Sequence, residues 1–249
     1  MRPLVVLPTY NEAANIVEVL TRVRQAAPEA DVLVVDDASP DGTADLAEEA
    51  AGRLGQIHLL RRPGKSGLGN AYRSGFRWGL ERGYDAFVEM DSDLSHDPAA
   101  LPSLLGGLEA ADLVIGSRYV PGGSIPQWGL HRRLLSEAGN RYASLMLGMK
   151  VRDLTSGYRA YDGDTLRLID LDRVRADGYG FQIEMAYRAA RGGASIAEVP
   201  IRFVDRVEGQ SKMSMRTIVE ALALVTVWGV RRVLGRRSRA GAPTHSTAA

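Results

Sequence analysis

Two aspartates separated by one residue, Asp91 and Asp93, stand at the end of an apolar run in the segment FVEMDSDLSHDP. Carboxylates this close repel each other unless a cation lies beside them. A divalent ion held by one or two carboxylates and by phosphate oxygens of a substrate would remove the repulsion. The same pattern is typical of a solvated turn in which Asp97 caps a helix that begins at Pro98. The pair alone therefore leaves metal binding and helix capping open.

A second pair of acids, Asp36 and Asp37, follows the apolar run DVLVV. A carboxylate after the second strand of a nucleotide-binding sheet can accept a hydrogen bond from a ribose hydroxyl or a base edge. The segment SPDGT at 39–43 has the chemistry of a turn followed by a helix start. We therefore interpret the two acids as ligand contacts and SPDGT as the turn.

Basic and hydroxyl side chains are frequent in the second half of the chain. Arg132 and Ser136 are four residues apart, so they share one face of a predicted helix. An arginine and a hydroxyl on one face can bind a phosphate group together. The alternative is a surface helix whose arginine pairs with an acid such as Glu137.

Several common catalytic patterns are missing from the sequence. The basic loop at 61–75 does not match either glycine-rich phosphate-binding pattern, because Leu59 and Tyr72 stand where glycine is needed. This disfavours a kinase-like or a dehydrogenase function. The chain has no Cys, which excludes disulfides, thiolate zinc sites and a thiol nucleophile. Its four His are scattered, and among them His96 is the one beside the aspartate pair.

The elements that must position these residues alternate between strands and helices. Such alternation predicts a mostly parallel, Rossmann-like α/β sheet with helices on both faces and ligands beyond the carboxyl ends of its strands. In the first half, apolar runs predict strands at 3–8, 31–36, 56–60, 85–90 and 112–116, and periodicity predicts helices at 12–27, 43–54, 67–82 and 98–109. After a loop at 120–129, we expect helices at 131–148, 163–170 and 181–192 and strands at 157–161 and 195–203.

Composition sets limits on the function. The formal net charge of +1 excludes a nucleic-acid partner bound through bulk positive charge. The fractions of 45% hydrophobic and 24% charged residues indicate a globular protein.

No signal-peptide pattern opens the chain. The most apolar stretch, 218–230, contains Glu220 and is shorter than the roughly 20 residues that span a bilayer. Because five arginines follow it, this helix either lies on an anionic membrane surface or packs on the core with a solvated basic end.

Eight ordered motifs together resemble the inverting family 2 glycosyltransferases. LVVLPTYNE at 4–12, VVDDASPDGT at 34–43, EMDSDLSHDP at 89–98 and IGSRY at 115–119 look like the nucleotide-sugar half of that family. HRRLLSEAGN, LTSGYRAY, GYGFQIEMAYRA and EGQSKMS narrow the resemblance to dolichol- or polyprenol-phosphate mannose synthases of the catalytic-domain-only type. The resemblance covers residues 2–216 and implies a GT-A (nucleotide-diphospho-sugar transferase) fold.

The resemblance also implies residue roles, carried over position by position. The guanine nucleotide of the donor would contact Pro8, Tyr10, Glu12 and Asp37. A Mg²⁺ or Mn²⁺ ion and the donor diphosphate would meet Asp91, Asp93 and Ser95, the last being shorter than the Gln that some relatives have there. Donor and acceptor phosphates would be bound by Arg118, Arg132, Ser136, Arg206 and Lys212.

The reaction implied by the resemblance is transfer of mannose from GDP-mannose to a polyprenyl (dolichyl-type) phosphate with inversion. The acceptor phosphate is already anionic, so no strong general base is required. Two alternatives stay open: the same transfer from a UDP-sugar such as UDP-glucose, and a non-catalytic nucleotide-sugar-binding protein. A nucleotidyltransferase would need a glycine-rich basic signature where LPTYNE stands.

The resemblance and the charge distribution together predict the domain organisation. Residues 1–125 hold 11 basic and 18 acidic residues, whereas residues 126–249 hold 20 and 12. The acidic half suits a metal-assisted nucleotide-sugar site, and the basic half suits phosphate groups and an anionic membrane. We expect a catalytic domain at 1–216, a basic membrane-surface helix at 217–239 and a disordered tail at 240–249. The protein would then work peripherally at the cytoplasmic face of a membrane, with a membrane-anchoring protein as a further candidate partner.

Overall fold

The computed structural model describes residues 1–205 and 215–240. The described residues form one seven-stranded sheet with helices packed on both faces. Its strands are β1 (Pro3–Thr9), β2 (Asp31–Asp36), β3 (Ile57–Arg61), β4 (Ala86–Glu89), β5 (Leu113–Ser117), β6 (Arg159–Asp162) and β7 (Ile196–Pro200). The α-helices are α1 (Ile16–Ala26), α2 (Thr43–Leu54), α3 (Leu68–Leu80), α4 (Leu101–Gly107), α5 (Leu130–Leu147), α6 (Gly163–Ile169), α7 (Tyr179–Gly192) and α8 (Met215–Ala240).

The sheet has the strand order β3-β2-β1-β4-β6-β5-β7. Strands β1 to β4 pair in parallel, and β5 pairs in parallel with β7. Strand β6 is antiparallel to both of its neighbours, so β5 and β7 run in the same direction as β4. The carboxyl ends of six strands and the start of β6 therefore lie along one edge of the sheet. The predicted GT-A-type α/β fold with a mostly parallel sheet is confirmed.

Alternation along the buried strands builds two cores, one on each face of the sheet. Leu4 and Val6 of β1 pack with residues of α3, α5, α7 and α8, whereas Val5 and Leu7 pack with residues of α1, α2 and α4. Successive side chains of a strand point to opposite faces, so a fully apolar strand such as LVVL must be covered on both sides. All four of these side chains are fully buried.

The predicted elements are present, most of them within two residues of the predicted bounds, and three differ more. The first helix begins at Ile16 rather than at residue 12, because Asn11 adopts a left-handed φ of 60° and residues 11–15 form a turn. The helix predicted at 98–109 opens with a 3₁₀ turn at Pro98–Ala100 and ends at Gly107. The last strand stops at Pro200, whose missing N–H cannot continue a ladder of hydrogen bonds.

The C-terminal helix packs on the core through one of its faces. It extends over Met215–Ala240, slightly longer than the predicted 217–239. Ala221 and Val225 are buried in the core that α3, α5 and α7 share, and Trp228 stacks on Tyr187 with ring centroids 6.0 Å apart. In the described part of the chain, no helix has both the length and the hydropathy needed to cross a membrane. The predicted tail falls on residues outside this part, apart from Ala240.

Candidate active site

A cavity of about 720 Å³ opens at the edge of the sheet where the parallel strands end. Most of the residues that sequence analysis predicted for the site are in its lining, namely Pro8, Tyr10, Glu12, Asp37, Asp91, Asp93, Ser95, Arg118 and Arg132. They come together because β1, β2, β4 and β5 end at this edge. Ser136 is described but is not in this lining, and Arg206 and Lys212 lie outside the described residues.

The two aspartates after β4 are held by neighbouring donors. The backbone N–H of Ser95 donates to Oδ1 of Asp93 at 3.0 Å, and the Ser95 hydroxyl donates to the same oxygen at 2.5 Å. The buried hydroxyl of Tyr72 donates to Oδ1 of Asp91 at 3.2 Å. The turn is tight, since Leu94 adopts a left-handed φ of 62°. Ser95 thus orients the carboxylate of Asp93 from the position where a third metal ligand was predicted.

His96 stabilises this turn through a hydrogen bond to its backbone. Its Nδ1 accepts a hydrogen bond from the backbone N–H of Asp91 at 3.1 Å, which requires that nitrogen to be unprotonated. The ring stacks on Tyr158 at a centroid distance of 4.9 Å and is 3% exposed. His96 therefore fixes the position of Asp91.

The donor set of the cavity suits a divalent cation that arrives with a phosphate ligand. Within residues 1–205 and 215–240, no group of three His, Cys, Asp or Glu side chains could enclose a metal ion. Mg²⁺ usually takes one or two carboxylates and keeps water and phosphate oxygens as its other ligands, and carboxylate oxygens also suit Mn²⁺. Asp91 and Asp93 lining one cavity fit that requirement, with the remaining ligands left to a bound substrate.

The two acids after β2 have different surroundings. Asp36 has a structural role, since its carboxylate accepts hydrogen bonds from the hydroxyls of Thr9 and Ser39. It is not in the cavity lining. Asp37 is in the lining, and its Oδ1 lies 2.8 Å from Nη1 of Arg62. Burial raises the pKa of Asp37 above its ordinary value, although the Arg62 guanidinium opposes the shift. One of the two predicted ligand contacts is thus placed at the cavity.

A loop between β3 and α3 forms one wall of the cavity. The ammonium of Lys65 lies 4.1 Å from the ring centroid of Tyr10, a cation–π contact. The backbone N–H of Gly69 donates to Oδ1 of Asp177 at 2.8 Å. Gly67 has a φ of 97°, and a Cβ on it would overlap the Asp177 carboxylate. Only glycine fits this position without strain.

Arg118 also lines the cavity and is 6% exposed. Its Nε and Nη2 each lie 2.7 Å from a carboxylate oxygen of Asp153, and Nη2 also donates to the Thr155 hydroxyl at 2.8 Å. Burial alone would raise the pKa of Asp153, but the guanidinium outweighs it and holds this pKa below its ordinary value. Nη1 is the guanidinium nitrogen without a hydrogen bond in the described part of the chain.

Arg132 and Ser136 share a face of α5 but have different neighbours. Arg132 lies 3.9 Å from the ring centroid of Trp128, and its Nη1 is 3.2 Å from Oδ2 of Asp205. Ser136 accepts a hydrogen bond of 2.7 Å from the Tyr119 hydroxyl. Glu137 pairs with the neighbouring Arg133 at 2.8 Å, so the alternative Arg132–Glu137 pair does not form.

Sequence reasoning assigned no role to several residues of the cavity. Asp177 lies in the loop before α7, Gln182 lies in the first turn of α7, and Trp128 and Asp205 flank Arg132. Asp153, which binds Arg118 from outside the lining, was also assigned no role. Asp153 and Gln182 lie in or beside the motifs LTSGYRAY and GYGFQIEMAYRA, which carried the resemblance, so the motifs were the available signal. Gln182 is 3% exposed, and its Oε1 has no hydrogen-bond partner in the described chain.

Sequence comparisons relate the chain to known proteins. Residues 4–168 match the family model "Glycosyl transferase family 2". The chain is 54% identical to an undecaprenyl-phosphate mannosyltransferase of Micrococcus luteus, over 97% of this chain and the whole of that protein. It is 49% identical to a polyprenol monophosphomannose synthase of Mycolicibacterium smegmatis, over 94% of this chain and 89% of the other.

Solved structures share the fold. A crystal structure of glucosyl-3-phosphoglycerate synthase from Mycobacterium tuberculosis, in complex with Mn²⁺, UDP-glucose and phosphoglyceric acid, superposes with a TM-score of 0.63. The match covers 98% of this chain and 81% of that one at 22% sequence identity. At this identity the likeness concerns the fold alone.

Proposed function

The chain belongs to glycosyl transferase family 2 and is a glycosyltransferase, and from that premise we propose that it transfers mannose from GDP-mannose to a polyprenyl phosphate with inversion. The observation that carries the proposal is one cavity whose lining contains both the carboxylates of Asp91 and Asp93 and the guanidinium groups of Arg118 and Arg132. Such a cavity suits a nucleotide diphosphate bound through a cation at the carboxylates and an anionic acceptor bound at the guanidinium groups. The two curated relatives are named for mannosyl transfer to, or synthesis on, a polyprenyl phosphate.

The donor nucleotide is assigned to the edge formed by β1, β2 and the loop after β3. Pro8 lies near the end of β1, Tyr10 and Glu12 follow that strand, and Asp37 lines the same cavity. A carboxylate at this place can accept hydrogen bonds from a ribose hydroxyl or from a guanine edge. Lys65, stacked on the Tyr10 ring, adds a cation beside the phosphates. We assign GDP-mannose as the donor. UDP-glucose is the alternative, and both donors are compared in the transfer assay.

Mg²⁺ or Mn²⁺ would be held by Asp91 and Asp93, with Ser95 orienting the second carboxylate through its hydroxyl. A divalent ion there supplies positive charge beside the departing diphosphate. The M. tuberculosis enzyme with the same fold has been crystallised with Mn²⁺ and UDP-glucose.

The acceptor phosphate is assigned to the basic wall. Arg118 is held rigidly by Asp153, and Arg132 is held between Trp128 and Asp205. Ser136, one turn after Arg132, lies outside the lining and keeps its predicted contact with the acceptor phosphate as part of the proposal. Two guanidinium groups fixed in advance bind an anion without a further ordering cost.

The chemistry then needs no strong general base, because the attacking phosphate oxygen is already ionised. That oxygen forms a bond to the anomeric carbon of mannose from the face opposite the leaving group. The bond between the anomeric carbon and the donor diphosphate breaks, GDP leaves with the electron pair, and the α-linked sugar becomes β-linked. Arg118 and Arg132 hold the nucleophile in line, and Trp128 and Phe203 give that wall an apolar surface that limits water.

The proposed organisation is a catalytic domain at 1–216 with a membrane-surface helix at 217–239. In α8 one face is buried in the core, while the opposite face exposes an apolar ridge of Val219, Val227, Val230, Val233 and Leu234, each between 46% and 59% exposed. A helix with such an exposed apolar face can lie in a membrane surface. We therefore propose peripheral contact with the cytoplasmic face of a membrane, where a long isoprenoid chain stays while its phosphate reaches the cavity. A membrane-anchoring protein is a further candidate partner.

The function is tested with purified protein and a panel of donors and acceptors. With Mg²⁺ or Mn²⁺ present, labelled mannose should move from GDP-mannose to a polyprenyl phosphate, and NMR of the product should show a β-linkage. Transfer from UDP-glucose alone would replace the donor but keep the reaction class. Nucleotide-sugar binding without transfer to any polyprenyl phosphate, in an assay where a known mannosyltransferase works, would leave only the non-catalytic alternative.

A further inference from the structure

A second cavity, of about 650 Å³, is lined by residues of α5 and shares no lining residue with the first cavity. Its lining includes Tyr119, which follows Arg118 in the chain, and several residues from α5 and from the loop after it. None of the proposed donor contacts is in this lining. The family resemblance assigns nothing to this surface.

The charged side chains of this cavity have a large excess of positive charge. Arg141, Lys150 and Arg152 are exposed and line it, and no ion pair within the described part of the chain involves any of them. Arg133 also lines it, but its charge is balanced by Glu137 at 2.8 Å. These three cations can therefore bind a ligand with several negative charges, or a surface that carries many negative charges.

The helix beside the cavity, α5, exposes large apolar side chains to solvent. Of the 18 residues of α5, only Asn140, Ala143 and Leu147 are buried. Leu130, Leu134 and Leu145 are 72%, 55% and 71% exposed. At 100° per residue these leucines fall within an arc of roughly 60°, and Arg141 lies inside the same arc. The stripe is apolar with one cation in it, which is typical of a helix that lies on a membrane.

This stripe adjoins the exposed face of α8. The hydroxyls of Tyr142 on α5 and Thr226 on α8 are 2.7 Å apart. Thr226 lies seven residues after Val219 and four before Val230, so it belongs to the apolar ridge of α8. The two outward faces therefore meet along the contact between the helices and form one surface with the cationic cavity at its side.

We propose that this cavity is a binding site for the phosphate headgroups of anionic membrane lipids, with the α5 leucines inserted into the bilayer beside it. An anionic bilayer matches both halves of the surface, since its headgroups pair with the three cations while its acyl region accepts the leucines. The proposal deepens the membrane contact proposed above by adding α5 and a headgroup site to α8.

The test is vesicle co-sedimentation with the full-length protein. Vesicles of phosphatidylcholine, with or without phosphatidylglycerol, are compared for the wild type and for a triple variant, Arg141→Gln with Lys150→Gln and Arg152→Gln. Because each cation near an anionic surface favours binding about fivefold, the triple variant should bind anionic vesicles on the order of 100-fold more weakly. A matched variant, Arg22→Gln with Arg53→Gln and Arg167→Gln, loses the same charge from α1, α2 and α6 and should bind nearly as the wild type does.

Two further arms separate the outcomes. Leu134→Ser with Leu145→Ser should weaken binding to both kinds of vesicle, and inorganic phosphate should compete no better than sodium chloride of equal ionic strength. Equal vesicle binding by the triple variant and the wild type, or specific competition by phosphate, would overturn the lipid-headgroup site. Mannosyl transfer to a short water-soluble acceptor, measured on the same variants, should be unchanged. That assay reports on the proposed reaction independently, so failure of one proposal is distinguishable from failure of the other.

Discussion

The buried carboxylate of Asp153 holds the buried guanidinium of Arg118 by two hydrogen bonds of 2.7 Å and accepts a third from the Arg118 backbone at 3.0 Å. Asp153 is held in turn by Glu198 of β7, whose carboxylate accepts from the Asp153 backbone N–H at 3.0 Å. A cation of the reaction cavity is therefore positioned by a chain of groups that do not themselves line it. The position of the Arg118 guanidinium is thus set by the fold.

Removing the charge of Asp153 should therefore destabilise the protein. Asp153→Asn leaves Arg118 buried without its counter-ion, and we expect a loss of about 3 kcal/mol in the free energy of unfolding by urea denaturation. Glu137→Gln is the matched control, because it breaks the exposed Arg133–Glu137 pair and should change stability by no more than the error of the measurement. Equal effects of the two substitutions would contradict a special role for the buried pair.

Catalysis should depend on Asp93 but not on the nearby Asp97. Asp93→Ala should lower kcat on the order of 10²-fold or more, because it removes a carboxylate assigned to the cation beside the leaving diphosphate. Asp97→Ala is the control, since Asp97 caps the 3₁₀ turn after it by accepting from Ala99 and is exposed. Transfer of labelled mannose in the presence of Mg²⁺ or Mn²⁺ measures both, and full activity of Asp93→Ala would refute the assignment.

Local sequence patterns predicted the strand ends well because a parallel α/β sheet follows simple rules. A buried strand is continuously apolar, and the first polar residue after the apolar run marks its end, as Asp36 does in β2 and Glu89 in β4. The ends of parallel strands meet at one edge, which brings the following acids Asp37 and Asp91 to one cavity. The partners of the basic residues were not predictable in this way. Arg118 and Asp153 are 35 residues apart in the chain. Arg132 pairs with Asp205, which lies in the segment after β7. Helical spacing placed Arg132 and Ser136 on one face, but packing of the 118–129 segment decided that Ser136 meets Tyr119.

A methyl group on Gly67 should damage the wall of the donor site. Gly67→Ala places a Cβ against the Asp177 carboxylate at a φ of 97°, so we expect about 1–3 kcal/mol of destabilisation and a raised KM for the nucleotide sugar. The control is Gly64→Ala in the same loop, where a Cβ would meet nothing within 4 Å. Thermal unfolding and donor titration measure the two effects. Two variants that behave alike would show that this close approach is unimportant.

The apolar ridge of α8 should matter for long lipid acceptors only. Deleting 217–249 would be a poor test, because Ala221 and Val225 belong to the core and the deletion would unfold it. A triple variant, Val230→Ser with Val233→Ser and Leu234→Ser, changes only exposed side chains. We expect wild-type transfer to a short soluble acceptor and at least tenfold slower transfer to a long polyprenyl phosphate in vesicles, since losing three apolar contacts weakens surface binding. An equal loss with both acceptors would indicate a role of the ridge in folding instead.

Glu89 should make the stability of the metal-free protein depend on pH. Its side chain is fully buried at the end of β4, opposite Arg159 in the sheet, and burial raises its pKa to about 7. In the unfolded chain a glutamate has a pKa of about 4.3, so between these values the folded state keeps a proton that the unfolded state has released. The contribution of Glu89 to stability therefore falls as pH rises through this window, by about 4 kcal/mol in total, and is constant above it.

Glu89→Gln removes this dependence, because the amide cannot ionise. Urea unfolding of the wild type and the variant from pH 5 to pH 8, with EDTA present so that no cation favours ionised carboxylates, should give stability curves whose difference changes steadily up to about pH 7. Glu81→Gln serves as control, since the Glu81 side chain is 71% exposed and its substitution should shift the curve equally at every pH. Parallel curves for the wild type and Glu89→Gln would show that Glu89 is ionised in the folded protein throughout this range, stabilised by the Arg159 guanidinium.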